Sequence, residues 1–570
     1  MNFINKKHVL ASTSFLGLNY FLLKKYNKNF QVNSDVDKTK SVDKTKSVDK
    51  NYYTYDEIQK HNKLGDVWVT YKNGVYNITN FVNNHPGGTE KIMLAAGNSI
   101  DSHWNVYKQH NKDVEKYILE PMKIGYIENY KGDEIQDPYK SDPYKCDPIR
   151  SKDLTYFNKK PCNAATPIYK IMDNWLTPNH LWYIRNHHPV PRLNDDVNDY
   201  KISIKDFNNK NYEIKYSDII RLCDLDSQCD IDSQCDIDSQ CDIDSQCDLD
   251  SLCDLDSLCD MDRKSGIFKK EVTTTIQCGG NRRAEMNIVK KTSGTPWNIG
   301  AISTAKWEGI LLKNLLCVLK VDIHENVKHI HFESIDGVKV SIPIEKVLND
   351  YGDVIIAYKM NDDFLPADHG FPLRLIVPGF VGIRNIKWLK SIKLSEREID
   401  GPWQSGISYK GVPHYISDLN DLSKMKNLDT LDKIASIYET PVQSCIVDVI
   451  ERKGKFIMRG FALSGGGRNI IRVDVSQDNG NHWNAAKLMK GSKQPFNRAW
   501  AWTFWEYELD NIDNNDISSL TKTFTCKAID SSYNIQPNTM DYIWNIRGLL
   551  NNSYHKEEMQ NIMNCYNESK

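Results

Sequence analysis

Cys278 closes a β-branched run and opens a glycine step in VTTTIQCGGNRRAEM, Val272 to Met286. Arg282 and Arg283 follow within five positions of the sulfur. Guanidiniums beside a thiol favour the thiolate, the form that binds metals. A pair of planar guanidiniums also suits an oxyanion. A second constellation lies upstream. FVNNHPGG sets His85 before a proline and two glycines that permit a close backbone approach, and His110 follows 25 positions later. Two imidazoles on opposite faces of a haem leave the iron no open position, so such a centre passes electrons.

Half of the cysteines tell against chemistry. Seven of fourteen recur every six residues from Cys223 to Asp262, each followed by Asp-x-Asp. That period lacks the close Cys-x-x-Cys pair of a zinc site. The tract has fourteen Asp and no Lys, Arg, Gly, Pro or aromatic residue. It is expected to be a solvated, disordered insertion. The other cysteines are too dispersed for a disulfide scaffold. Net charge is −2, and the tract is wholly acidic, so the rest of the chain is basic. The excess is spread out, which points to anionic ligands and to no nucleic-acid arm.

Elements must hold these residues in place. VWVTYKNGVYNI reads as a hairpin of two short strands around the turn Lys72-Asn73-Gly74. Val272–Ile276 reads as a strand ending at Cys278. KGDEIQDPYKSDPYKCDPIRSK reads as an extended hinge. From about Lys410, PVQSCIVDVI, KFIMRGFAL, NIIRVDVS, WAWTFWEYEL and KTFTCKAID are short strands with turns, as in a β-sandwich. The expected fold class is α+β multidomain. A targeting segment and linker occupy 1–50, a haem domain 51–130 and a hinge 131–160. A mixed α/β domain spans 161–409, with the 223–262 insertion, and a C-terminal immunoglobulin-like β-sandwich spans 410–570.

FVNNHPGG and its flanks, Tyr52 to about Tyr130, resemble cytochrome b5. The resemblance implies haem b with His85 and His110 as axial ligands and leaves His103 on the surface. CGGNRRAEM, GAISTAKWEG, MNDDFLPADHGFPLRLIVPGFVGIRNIKWL and SGGGRNIIRVDVSQDNGNHW together resemble the sulfite oxidase family, over roughly Tyr52 to Ser553. That resemblance implies a molybdenum–molybdopterin cofactor with Cys278 as thiolate ligand. Tyr183, Ile184, Arg185, Asn186, His187, Asp336, His369, Arg374, Asn385, Ile386 and Lys387 would hold the pterin and its phosphate. Arg185, Arg283 and Arg547 would bind sulfite, with Trp297 and Tyr409 lining the pocket. It further implies oxygen-atom transfer to sulfite, cytochrome c as electron acceptor and a homodimer. Two departures stand out: Leu463 replaces an expected Trp, which puts local packing in doubt, and Asn385 replaces an expected His, which leaves a backbone contact.

Two rivals remain. Nitrate reductase shares the last two domains but places its haem domain after them and adds a flavin module. A haem carrier with an inactive molybdenum domain would not need Cys278, Tyr409 and the arginine set. The first 34 residues hold no acid, and lysines flank HVLASTSFLGLNYFLL at residues 8–23. This reads as a mitochondrial presequence leading to the intermembrane space, or as a membrane anchor.

Overall fold

The computed structural model describes residues 51–82, 85, 89–106, 119–130, 142–193, 196–229, 269–416, 434–509 and 522–562. In the haem domain, Asp66–Tyr71 and Gly74–Asn77 form the expected hairpin, with Tyr71 opposite Gly74 and Lys72 at φ 51° in the turn. Val67, Val69, Tyr76 and Ile78 pack with Val82, Ala95, Ile100 and Trp104 into one small core. The helix Asp101–Val106 carries His103. His110 lies outside the described residues.

The central domain holds, among the described residues, two five-stranded sheets and one of three strands. HIHFES, His329–Ser334, alternates strictly, burying Ile330, Phe332 and Ser334. It pairs with Lys339–Pro343 on one side and Leu389–Ser395 on the other. The strand Lys269–Gln277 pairs in register with Ile302–Leu311, which places Cys278 beyond the end of a buried ladder. The small sheet joins Thr155–Lys159, Cys162–Ala165 and Ile184–Arg185.

Two expectations about boundaries change. Residues 142–160 belong to the central domain and are not a free hinge. Tyr144 is buried, Arg150 grips Asp368 at 2.8 Å, and Val190 N–H donates to Asp147. Residues 131–141 lie outside the description. The Cys-Asp tract also begins inside the fold. The helix Tyr216–Cys229 carries its first residues, and Cys223 is fully buried among Ile219, Ile310 and Tyr358. The first two turns, YSDIIRLC, supply Ile219 and Cys223 at i and i+4, so the helix has an apolar face to bury before the acidic repeat takes over. Residues 230–262 lie outside the description.

The C-terminal domain is the expected two-sheet sandwich. One sheet orders Gln443–Arg452, Lys455–Leu463, Thr503–Glu508 and Lys487–Leu488; the other orders Asn484–Ala485, Ile470–Ser476, Thr523–Asp530 and His555–Glu558. Leu463 is buried with Phe461 and Trp502, so its place is filled without the expected Trp. Between Asp530 and His555 the chain leaves the sandwich. There Arg547, Leu549, Asn551 and Ser553 pack against the loop after Cys278.

Candidate active site

The loop after Cys278 is held from both sides. Cys278 N–H donates to Ala301 O at 2.9 Å, and Ala301 N–H donates to Asn281 Oδ1 at 2.9 Å. The two arginines then part company. Arg282 takes a left-handed conformation (φ 61°), is fully buried, and donates to both oxygens of Glu285 at 2.7 and 2.6 Å and to Ser553 O at 2.8 Å. Burial pushes the Glu285 carboxyl up, but the Arg282 guanidinium overrides it and holds the group below the usual carboxylate range. Arg282 is therefore a structural clamp, and the expectation that both guanidiniums face the Cys278 cavity is corrected to one, Arg283. Consecutive residues at a helix start point to different sides, so only Arg283 turns toward the cavity.

Arg283 donates from Nε to Arg547 O at 3.0 Å and Gly548 O at 3.1 Å, and from Nη1 to Thr295 O at 2.8 Å. A Cβ at Gly280 would stand 2.4 Å from its Nη2, and one at Gly294 2.5 Å from its Nη1. Those glycines make the room for the guanidinium. Arg185 donates from Nη1 to Asn163 Oδ1 at 2.9 Å and Asn186 O at 2.7 Å. Arg547 donates to Ser293 Oγ at 3.2 Å. One cavity of about 450 Å³ is lined by Arg185, Arg283, Arg547, Cys278, Trp297 and Tyr409. Burial, and then the neighbouring Cys278, raise the Tyr409 phenol above its ordinary value despite the three arginines. Tyr409 therefore stays protonated and can donate a hydrogen bond.

An adjoining cavity is lined by Tyr183, Arg185, Asn186, His187, Cys278, Asp336, His369, Arg374, Asn385, Ile386, Lys387 and Tyr409. All but one of the residues expected around the pterin meet here. Ile184 does not: its side chain packs with Leu154, Cys162 and Ala164 on the other face of its short strand. Arg374 donates to His369 O at 2.8 Å and Asn385 O at 3.0 Å, while its buried Nε has no protein partner. The Asn385 main-chain oxygen is taken by Arg374, and its side chain bonds to Val377 N, Phe380 O and Val381 O. Burial pushes Lys387 down to about 7 and His369 down to about 3. An orphaned guanidinium nitrogen and a buried, destabilised ammonium fit an anionic group in this cavity, as a pterin phosphate would be. The thiol of Cys278 at the junction of the two cavities fits a metal bound to that pterin.

The larger cavity continues to the haem domain, where His85, Ile92, Ala95, Ile100, His103 and Trp104 line it. An apolar wall beside one imidazole fits a macrocycle edge. His103 is corrected: it faces this cavity, with Nε2 buried, instead of the surface. Ser334, Trp182, Trp388 and Asn163 also line the cavities without having been expected. A register count would have found Asn163, since it lies directly opposite Arg185 in the small sheet. No helix among the described residues is long and apolar enough to cross a membrane.

Comparison with known proteins agrees with this geometry. Residues 54–128 match the family described as "Cytochrome b5-like Heme/Steroid binding domain", 242–403 "Oxidoreductase molybdopterin binding domain" and 429–562 "Mo-co oxidoreductase dimerisation domain". The mitochondrial sulfite oxidase of Drosophila melanogaster is 36% identical over 90% of this chain and 81% of its own length. The sulfite oxidase of Gallus gallus is 34% identical over 88% of this chain and 99% of its own. An NADH nitrate reductase of Lotus japonicus is 27% identical over 79% of this chain but only 45% of its own. Among solved structures, the sulfane dehydrogenase SoxCD of Paracoccus pantotrophus shares the fold at 20% identity and a TM-score of 0.51, over 72% of this chain and 87% of that one. With a haem domain, a molybdopterin-binding domain whose cavity Cys278 lines and a dimerisation sandwich in one order, and relatives similar along nine-tenths of its length, the chain belongs to the sulfite oxidase family.

Proposed function

We propose that the Cys278 cavity oxidises sulfite to sulfate and that the electrons leave through the haem domain to cytochrome c. The observation that carries this reading is the meeting of Cys278, three arginines and Tyr409 in one cavity that continues to His85. A molybdenum–pterin group on Cys278 would supply two-electron oxygen-atom transfer, and haem on His85 and His110 would supply single-electron steps.

The chain's own residues do the rest. Arg185, Arg283 and Arg547 bind the oxyanion in a partly dry pocket, where fixed donors act more strongly than in water. Tyr409, protonated, adds a neutral donor. Trp297, fully buried and edge-on to Phe157 at 4.8 Å, closes the wall against water. Arg374, Lys387 and His369 hold the anionic end of the cofactor. His369 donates from Nε2 to Asn179 O at 3.0 Å, so Nδ1 is its unprotonated nitrogen. The sandwich makes a homodimer, and the enzyme is mitochondrial, in the intermembrane space, where cytochrome c is the acceptor.

The test is sulfite-dependent cytochrome c reduction by purified protein with molybdenum and haem counted. Turnover with one of each per chain supports the reading. Full metal content without sulfite turnover contradicts it.

A further inference from the structure

Several arginines away from the cavity pair with carboxylates: Arg150 with Asp368 at 2.8 Å, Arg282 with Glu285 at 2.6 Å, Arg459 with Asp448 at 2.5 Å and Arg498 with Asp353 at 3.0 Å. Buried Arg384 is an exception, held by Ile437 O, Trp403 O and the Gln404 side chain. The three arginines of the larger cavity have no such partner. Among the described residues, no carboxylate oxygen lies within 4.0 Å of a nitrogen of Arg185, Arg283 or Arg547. Their fixed partners are main-chain oxygens, the Ser293 hydroxyl and the Asn163 carboxamide.

Only one of these neutral partners is a side chain that could have been a carboxylate of the same shape. Asn163 is buried, lies opposite Arg185 in the strand pair, and accepts from Nη1 at 2.9 Å. Arginine has donors only, so the oxygen of the amide must face it. An Asp here would accept the same bond and would also cancel the arginine's charge. We propose that Asn163 is a positioning and specificity residue: it fixes Arg185 with a neutral acceptor and so leaves the full positive charge to the substrate oxyanion. This rests on the sulfite reading of the cavity for the substrate's name, but not for its charge.

The test compares Asn163→Asp with Asn163→Ala in the holoenzyme. Sulfite KM and kcat are measured, together with sulfate binding by titration calorimetry, molybdenum content and Tm. Asn163→Asp keeps the shape and the bond to Arg185 and loses a long donation from Nδ2 to Pro161 O at 3.5 Å, so molybdenum content should stay near wild type and Tm should fall only modestly. Its KM should rise about tenfold or more, and sulfate affinity should fall in parallel, because a close opposite charge now competes with the anion. Asn163→Ala keeps the charge of Arg185 and loses its fixed position, so its KM should rise less and kcat should fall several-fold. A purely structural role gives the opposite order, since Ala removes the larger volume and should be the worse variant. An Asn163→Asp enzyme with KM and sulfate affinity within twofold of wild type overturns the proposal. So does an Asn163→Ala enzyme that binds sulfate more weakly than Asn163→Asp. If the wild type binds sulfate but does not oxidise sulfite, the functional reading fails while the calorimetry still decides the role of Asn163.

Discussion

Arg283 donates from Nε to the main-chain oxygen of Arg547, 3.0 Å away across 264 positions of sequence. The bond ties the loop after Cys278 to the segment that leaves the sandwich, so one cavity arginine is positioned by the backbone of another. The space for this arrangement is set by Gly280, whose added Cβ would meet Arg283 Nη2 at 2.4 Å. Gly280→Ala should therefore displace the guanidinium. A misplacement of about an ångström costs up to about 100-fold in rate. We expect kcat/KM for sulfite to fall about 10- to 100-fold with the haem spectrum unchanged. A value within twofold of wild type would show that Arg283 is not held by this contact.

Arg282 serves stability instead. Arg282→Ala leaves half-buried Glu285 beside no cation; breaking a fully buried pair costs about 3–5 kcal/mol, an upper bound here because the Glu285 side chain is 27% exposed. Thermal denaturation should show a large loss of Tm, and cofactor content should drop with it. Retention of both would mean that the clamp is dispensable.

His555 makes stability pH-dependent. Burial, and then Arg282, push it down to about 4 from its ordinary 6.5. Its Nδ1 accepts from Ile446 N–H at 3.2 Å, which needs the neutral ring. Between these values the unfolded chain binds a proton that the folded one refuses. Stability from this group is therefore complete above pH 6.5 and is lost as pH falls toward 4, on the order of 3 kcal/mol in all. His555→Gln should flatten the Tm profile over that range. An unchanged slope would assign it to other groups.

Strands were legible from sequence because alternation and β-branching are local. The hairpin at Lys72 and the sandwich strands stand where those patterns put them. So, too, was Cys278 at a strand end. Relations between distant segments were not. Arg282 and Arg283 are chemically alike, and only the fold shows that one faces Glu285 and the other the cavity. Asn163 gains its role from a cross-strand register, and Arg547 from a chain that doubles back. Cys223 was hidden by its repeat, since the six-residue motif masks the apolar face that Ile219 begins.

That last point divides the acidic tract. Deleting residues 230–262 should leave molybdenum content and sulfite turnover nearly unchanged, while lowering the cytochrome c rate modestly at low salt, where the repeated aspartates steer a basic partner. A deletion that begins at Cys223 removes a core residue and should lower Tm. Equal stability of the two deletions would contradict the buried position of Cys223.

The haem route has its own test. His110→Ala should stop cytochrome c reduction and spare sulfite oxidation by an artificial acceptor that takes electrons at molybdenum. Persistence of both activities would take His110 off the path.

Electrons taken from sulfite in the Cys278 cavity should reach the haem. Anaerobic mixing of sulfite with the holoenzyme, followed by haem absorbance, tests this directly. Wild type should show haem reduction, and Cys278→Ser should show an intact oxidised haem spectrum that sulfite does not change. Haem reduction by sulfite in Cys278→Ser at the wild-type rate would contradict the account.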